Sequence, residues 1–575
     1  MTILAACNSP ESRQLIYYLI KQQSRNPKGF YDHIREMILE VVAMFDFIIR
    51  NAMVMDGSGN RAFQADVAIK NGKIVAVGLA DGEAERVIDG SDLVLAPGFV
   101  DMHSHTDTGL LIDPHAESKI TQGVTLEVNG NCGFSSAPCI DEPSRAELES
   151  WRRKYEIEDD WQTMGDLLSM LEKRQIGVNF ATLVGHCNLR SAVVGLADRE
   201  ASPKEIDEMK RLAAESMEQG AFGISTGLIY APGCFANTSE LIEVTKAVSP
   251  YGGFYASHIR DERAQLAEAV DEAIRIGREA GVPVEISHHK ACGSSNWGKV
   301  QMTIAMIREA RETGHDVTAD QYPYTATATS LSTLLPYWAH DGGDKALLGH
   351  LKNRREELIA GLIAASEEGV FATNGDWGSV LISGVRTEKN RYCEGMNMQD
   401  IAERRGVPPA QAVIDLLEEE DAAVSMVQFA MCEEDIAVVM QSDNVMVGSD
   451  ASSRSTSGPL SKGKPHPRAF GTFSRVLGHY VRERNVIPLE KAIYKMTSLP
   501  MKKLGIKDRG TITVGNWADI VVFDADKVID KATYGNPHQT SAGIEYVFVN
   551  GKLTVEHGEL TGELAGKVLR RKGMK

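Results

Sequence analysis

Two histidines one residue apart, His103 and His105, end the apolar run PGFVDMHSH. Side chains at i and i+2 of a strand leave the same face, so both imidazoles can reach one ion. Such a pair alone more often sits at a surface or in a core than on a metal. Here it has company at equivalent places: His258 closes GGFYASH, His288 lies near the end of VPVEISHHK, and Asp450 closes NVMVGSD. Four imidazoles and a carboxylate at the ends of separate apolar runs form a donor set that unrelated structural needs would hardly produce. Such donors favour zinc among the common metals, with an open position for water, and also suit cobalt or iron. His289 falls on the opposite strand face from His288 and reads as a packing residue or a support for its neighbour. His186 in LVGHCN and His466 in KPHPR are further candidates for the wall of the site.

These residues need a scaffold that brings strand ends together. Eight apolar runs, from PGFVDMHSH through GVTLEVNGNC, VNFATLVGH, AFGISTGLIY, GGFYASH, VPVEISHHK and DVTADQYPY to NVMVGSD, alternate with helix-period stretches such as EIDEMKRLAAESMEQG. That is the rhythm of parallel βα units, and the active sites of (β/α)8 barrels lie at the C-terminal ends of their strands. The expected fold class is therefore α/β: a metal-dependent (β/α)8 TIM-like barrel over residues 98–499. The long interval before the eighth run carries helical patterns of its own, so an inserted subdomain is expected at about 326–430. Short alternating runs broken by Asn-Gly and Asp-Gly turns occur at 44–97 and return at 500–575, and the two ends are expected to close into one small composite β-sandwich. Residues 1–43 carry no motif and read as an N-terminal extension of unknown role, with Met44 a candidate start. The opening LAAC resembles a lipoprotein cleavage box but lacks the preceding basic and apolar regions.

The chain has 575 residues, 43% of them hydrophobic and 24% charged, enough for a large core and at least two domains. A net charge of -18 argues against a nucleic-acid or anionic-membrane surface. No window approaches the roughly 18 uninterrupted apolar residues of a spanning helix. Eight cysteines without a regular framework fit a reducing compartment, and cytoplasm is the expected location.

PGFVDMHSHTD, YASHIRDE, EISHHK, the GSD of 448–450 and the tail TSLPMKKLGIKDRGTITVGNWADIVVFD resemble the amidohydrolase superfamily over about residues 44–570. Many members bridge two metals with a carboxylated lysine on the fourth strand, but AFGISTGLIYAPG contains no lysine. VNGNCGFSSAP offers Cys132 instead, and with GISTGLIYAPG, DQYPYTA and KPHPRAFGTFSRVLG the chain is similar to the D-aminoacylases, or N-acyl-D-amino-acid deacylases. Without that resemblance Cys132 would read as a small buried hydrophobe.

The resemblance implies a tight zinc site of Cys132, His258 and His288 and a second, weaker site of His103, His105 and Asp450. A zinc ion lowers the pKa of bound water to about 7 and polarises a carbonyl. Asp450 is placed as general base and acid, taking the proton of the attacking water and returning it to the departing amine. Absent the histidines, an Asp after Gly-Ser would read as a turn or cap residue. Lys290, Tyr230 and Tyr324 are the expected anchors for the carboxylate of a small N-acyl amino acid. Arg454 and Arg468 follow Asp450 in the eighth loop, and Arg454 departs from the family's segment there, where it would suggest a preference for acidic side chains. The alternative reading is a cyclic-amide hydrolase of the hydantoinase or dihydroorotase kind. The preferred side chain, the acyl group and the oligomeric state are not written in the sequence.

Overall fold

The alternating run that begins at Met44 forms β1 (Met44–Val54), followed by β2 (Phe63–Lys70) and β3 (Lys73–Gly78) in a computed structural model that describes residues 44–367 and 376–571. The expected N-terminal extension, residues 1–43, lies outside the described residues. Asn71 and Gly72 turn β2 into β3 with φ of 52° and 76°, the two left-handed positions that a two-residue hairpin of type I′ requires. β4 (Glu83–Asp89) and β5 (Val94–Pro97) then run parallel to β1.

From β6 (Phe99–Asp101) onward the strands are short, buried on both faces and mutually parallel. They are β7 (Val124–Asn129), β8 (Asn179–Thr182), β9 (Val184–Gly185), β10 (Gly223–Gly227), β11 (Phe254–His258), β12 (Val284–Ile286) and β13 (Val317–Gln321). Burial on both faces explains why they read as continuous apolar runs rather than as alternation. Helices return the chain between them. Pro203–Glu218 starts on a capping box, with Ser202 and Glu205 each meeting the other's backbone N–H, and buries Met209, Leu212, Ala213 and Met217. Leu266–Ala280 ends on left-handed Gly281 and buries Ile276 completely, so Ile276→Ala would cost about 2–5 kcal/mol.

After β13 the chain leaves the parallel set for β14 (Ala326–Ser330), β15 (Val380–Gly384) and β16 (Ser425–Phe429), an antiparallel sheet with β16 in the middle. Leu331, Leu347, Leu358, Ile382, Ile401 and Val413 form an apolar cluster of their own beneath it. The helix Glu433–Gln441 leads back to β17 (Val445–Val447), which pairs parallel to β13. Pairing thus passes from β6 through β7 to β8, from β9 through β10, β11, β12 and β13 to β17, and a parallel bridge between Ser104 and Ala451 joins the β17 end to the β6 end.

A buried ion pair locks that junction. Lys119 Nζ lies 2.7 Å from Asp101 Oδ2 and donates to Ser449 Oγ and the Ala451 carbonyl, while Asp101 Oδ1 accepts the Ser449 N–H. Lys119 Nζ is also 3.2 Å from the buried Glu127 Oε1, so removing the lysine would leave buried carboxylates uncompensated, at about 3–5 kcal/mol.

β18 (Ile520–Phe523), β19 (Ile544–Val549), β20 (Lys552–Glu556) and β21 (Glu559–Leu560) complete the chain. β18 pairs antiparallel with β5, so the two chain ends share one nine-stranded sheet around Ile49, Val67, Leu95, Ile520, Val522 and Phe548. No helix among the described residues is long and apolar enough to cross a membrane.

Candidate metal centre

The C-terminal ends of the parallel strands converge on two overlapping groups of metal-type donors. In one, ligand atoms of His103, Cys132, His288 and Asp450 all lie within 4.8 Å of one another; in the other, those of His258, Glu262 and His288 do. Cys132 Sγ is 3.2 Å from His103 Nε2, 3.4 Å from His288 Nε2 and 3.7 Å from His258 Nδ1. His105 Nε2 is 3.0 Å from Asp450 Oδ1, and His103 Nε2 is 3.6 Å from the same oxygen.

The chain bends sharply to make this arrangement. Cys132, His288 and Asp450 carry φ of 53°, 35° and 50°, left-handed values that side-chain-bearing residues rarely adopt and that cluster at functional sites. β6 ends at Asp101 and β12 at Ile286, so strand alternation does not orient the donors beyond them. His103 is fully buried whereas the His105 side chain is 30% exposed, and both still reach Asp450.

Neighbours orient the rings. Asp320 Oδ2 meets His103 Nδ1 at 3.0 Å, and Asp320 Oδ1 accepts the His288 backbone N–H at 2.9 Å. Glu262 Oε1 stands 3.0 Å from His288 Nδ1 and 2.6 Å from Lys290 Nζ. Arg468 sits 2.9 Å from Asp450 Oδ2 and lies over the Tyr322 ring.

Burial opposes charge throughout, but the groups charge one another. Asp320 and Cys132 raise His103 well above the ordinary imidazole range, and His103 and His288 hold Cys132 well below the usual thiol range. Against the same burial, Arg468 and His288 keep Asp450 well below the carboxylate range, and Lys290 with His258 does so for Glu262. A thiolate is the form of cysteine that ligates a metal. His258 Nε2 is buried without a hydrogen-bond partner, an unspent donor position in the same cluster. Thiolate, imidazoles and carboxylate at these separations fit a metal ion.

A cavity of about 430 Å³ opens on these donors and is lined by His105, Cys132, His258, His288 and Asp450 together with Tyr230, Lys290, Tyr322 and Arg468. Thr327, Thr329, Met426 and Gln428, from β14 and β16, also line it, so the inserted segment contributes to the walls. Tyr324, expected to face the substrate, does not: its hydroxyl is directed to Asp530 Oδ2 at 3.3 Å and the Pro467 carbonyl, because β13 ends at Gln321 and the chain turns at Pro323. Tyr322 lines the cavity in its place, with a buried hydroxyl that has no partner. His289 is turned to Thr303, His186 to Glu240, and His466 borders the cavity while its Nε2–H donates to the Ala326 carbonyl.

Sequence reasoning missed Asp320 and Glu262 as supports and left Arg468 unassigned. Asp320 stands in a strand whose last residues are otherwise uncharged, the one signal that could have singled it out.

Parallel strands that carry thiolate, imidazole and carboxylate donors at one end define an α/β metalloprotein. The chain belongs to the amidohydrolase family, whose model matches residues 86–294 and 394–555. A model of the urease alpha-subunit N-terminal domain matches residues 32–98. The chain is 36% identical to a D-aminoacylase of Alcaligenes xylosoxydans xylosoxydans, over 92% of this chain and 98% of that one. It is also 36% identical to an N-acyl-D-glutamate deacylase of the same organism, over 92% and 96%. Among solved structures, the N-acyl-D-glutamate deacylase of Bordetella bronchiseptica, complexed with zinc and a phosphonate mimic of the tetrahedral intermediate, is 32% identical with a TM-score of 0.76, over 92% of this chain and all of that one.

Proposed function

We propose that the chain is a zinc-dependent hydrolase of N-acyl-D-amino acids that releases a carboxylate and a D-amino acid. One observation carries this reading: Cys132, His103, His288 and Asp450 bring their donor atoms together, and all but the buried His103 line a cavity that the side chains of Lys290 and Arg468 also line. The similarity to N-acyl-D-amino-acid deacylases, one of them solved with zinc, supports the substrate and the metal.

We assign the tight zinc to Cys132, His258 and His288 and a weaker second site to His103, His105 and Asp450. The nearness of Cys132 Sγ to His103 Nε2 supports a thiolate shared between the two sets. Zinc, when bound, supplies Lewis-acid polarisation of the acyl carbonyl and activation of water. Asp450, held ionised beside Arg468, accepts the proton of the attacking water at Oδ1 and returns it to the leaving amine.

Arg468 and Lys290 supply positive charge for the α-carboxylate, and the hydroxyls of Tyr230 and Tyr322 supply donors. Lys290 is paired with Glu262 and Arg468 with Asp450 through Nη1, but Arg468 Nε makes no hydrogen bond, so Arg468 keeps a donor to offer. Carbonyl, α-carboxylate and side chain then occupy three fixed directions, which discriminates the two hands.

In the same reading, 98–499 is a closed (β/α)8 barrel, 44–97 with 500–575 a composite β domain, and 326–430 a subdomain over the strand ends. The free thiols of the described cysteines support a reducing compartment, the cytoplasm.

Deacylation of N-acetyl-D- and N-acetyl-L-amino acids and of 5-substituted hydantoins by the purified zinc-loaded protein tests the reading. The D-series is expected to be hydrolysed. Turnover of hydantoins alone would replace the reading by cyclic-amide hydrolysis, and an L preference would remove the handedness.

A further inference from the structure

The cavity holds more positive charge than a monocarboxylate needs. Lys290 is paired with Glu262, and Arg468 with Asp450. Arg263 and Arg454 line the same cavity, and among the described residues neither guanidinium has an ion pair or a hydrogen bond.

The two differ in their surroundings. Arg263 follows Asp261, which accepts its backbone N–H at 2.7 Å and places a carboxylate in the same loop. The stretch from Ala451 to Lys464 contains no Asp or Glu. Asp450, just before it, is paired with Arg468, and two acids that reach it are engaged with hydroxyls beside Arg454: Asp113 with Ser455, and Glu117 with Thr456 at 2.7 Å. The loop is nevertheless held in place, because Arg454 exchanges both backbone hydrogen bonds with Ser118, N–H to Oγ at 2.8 Å and carbonyl from N–H at 3.0 Å. Burial pushes the guanidinium below its ordinary range, with only Tyr155 acting against it. A half-buried cation on an anchored loop with no protein anion carries a desolvation cost that a bound anion repays.

Resting on the deacylase reading above, we infer that the preferred substrates carry a second carboxylate, beyond the α-carboxylate, and that Arg454 binds it. The chemistry admits two sources, an acidic amino-acid side chain or a dicarboxylic acyl group. Equal identity to a D-aminoacylase and an N-acyl-D-glutamate deacylase does not choose between substrates with and without a second carboxylate; the unpaired guanidinium does.

The test measures kcat/KM of the zinc-loaded protein on matched pairs. N-acetyl-D-glutamate against N-acetyl-D-glutamine isolates a side-chain charge, and N-succinyl-D-leucine against N-butyryl-D-leucine isolates an acyl charge. One charged member is expected to exceed its neutral match by about tenfold or more, as a charge-assisted hydrogen bond allows. That ratio is expected to collapse in Arg454→Met and to survive in part in Arg454→Lys. Ratios near one in both pairs, with ready deacylation, would overturn the second carboxylate and leave the deacylase reading standing. A strong ratio that persists in Arg454→Met would overturn the role of Arg454. No hydrolysis of any N-acyl-D-amino acid would remove the deacylase reading and this inference with it.

Discussion

His103 Nε2 lies 3.2 Å from Cys132 Sγ, closer than either imidazole that the resemblance groups with that cysteine. A single sulfur therefore faces three histidines contributed by the ends of three different strand runs. Cys132→Ala is expected to lose most bound zinc while keeping the wild-type circular dichroism spectrum. Elemental analysis after gel filtration checks it, and wild-type metal content with persisting activity would take Cys132 out of the centre.

Asp450→Asn is expected to fold and retain tight-site zinc but to lose about 10²–10⁴-fold in kcat, because an amide cannot carry the proton between water and amine. Steady-state kinetics at saturating substrate, paired with metal analysis, read the two effects separately. A wild-type kcat would remove Asp450 from proton transfer.

Asp320 serves two histidines at once, the ring of His103 through Oδ2 and the backbone N–H of His288 through Oδ1. In Asp320→Asn only one of those positions keeps an acceptor, and the amide NH2 faces the other donor. Zinc affinity is expected to fall about 10–100-fold, the usual effect of losing a carboxylate that orients a ligating imidazole. Chelator competition measures it; an unchanged affinity would reduce Asp320 to packing.

Lys495, 1% exposed, titrates far below its solution value because burial lowers its ammonium to about 7 from 10.5. Between these values the unfolded chain holds a proton that the folded chain has shed, so folding stability rises with pH across that window. Below about 7 both states are protonated and the cost is fully present. Lys495→Met is expected to lose this share of the rise, so urea midpoints of wild type and variant should converge from pH 7 to pH 9. A constant difference would show that Lys495 keeps its proton in the fold.

Much of this arrangement was legible because buried parallel strands appear as apolar runs, and a polar donor that ends such a run stands out. His258 at the end of β11 is the clearest case. Legibility stopped where strands stopped: its place at the end of the seventh run and the resemblance assigned Tyr324 to the site, but it lies three residues past the end of β13, where backbone turning decides direction. Glu262 and Asp320 were invisible for another reason. Their significance lies in which imidazole they touch, His288 for Glu262 and His103 for Asp320, across distances of 26 and 217 residues in the chain, and a lone acid in a loop or strand does not announce its partner.

The pairing of β5 with β18 has a consequence for how the chain is made. β5 ends at Pro97 and β18 begins at Ile520, so one edge of the first half-sheet stays bare while the ribosome completes everything between them. An unpaired edge of Val94, Leu95 and Ala96 is a template for strands of other chains. β18, made after all the strands between, thus covers the edge that β5 leaves open, and a nascent chain stalled before Ile520 carries all six proposed zinc donors together with an exposed, adhesive strand.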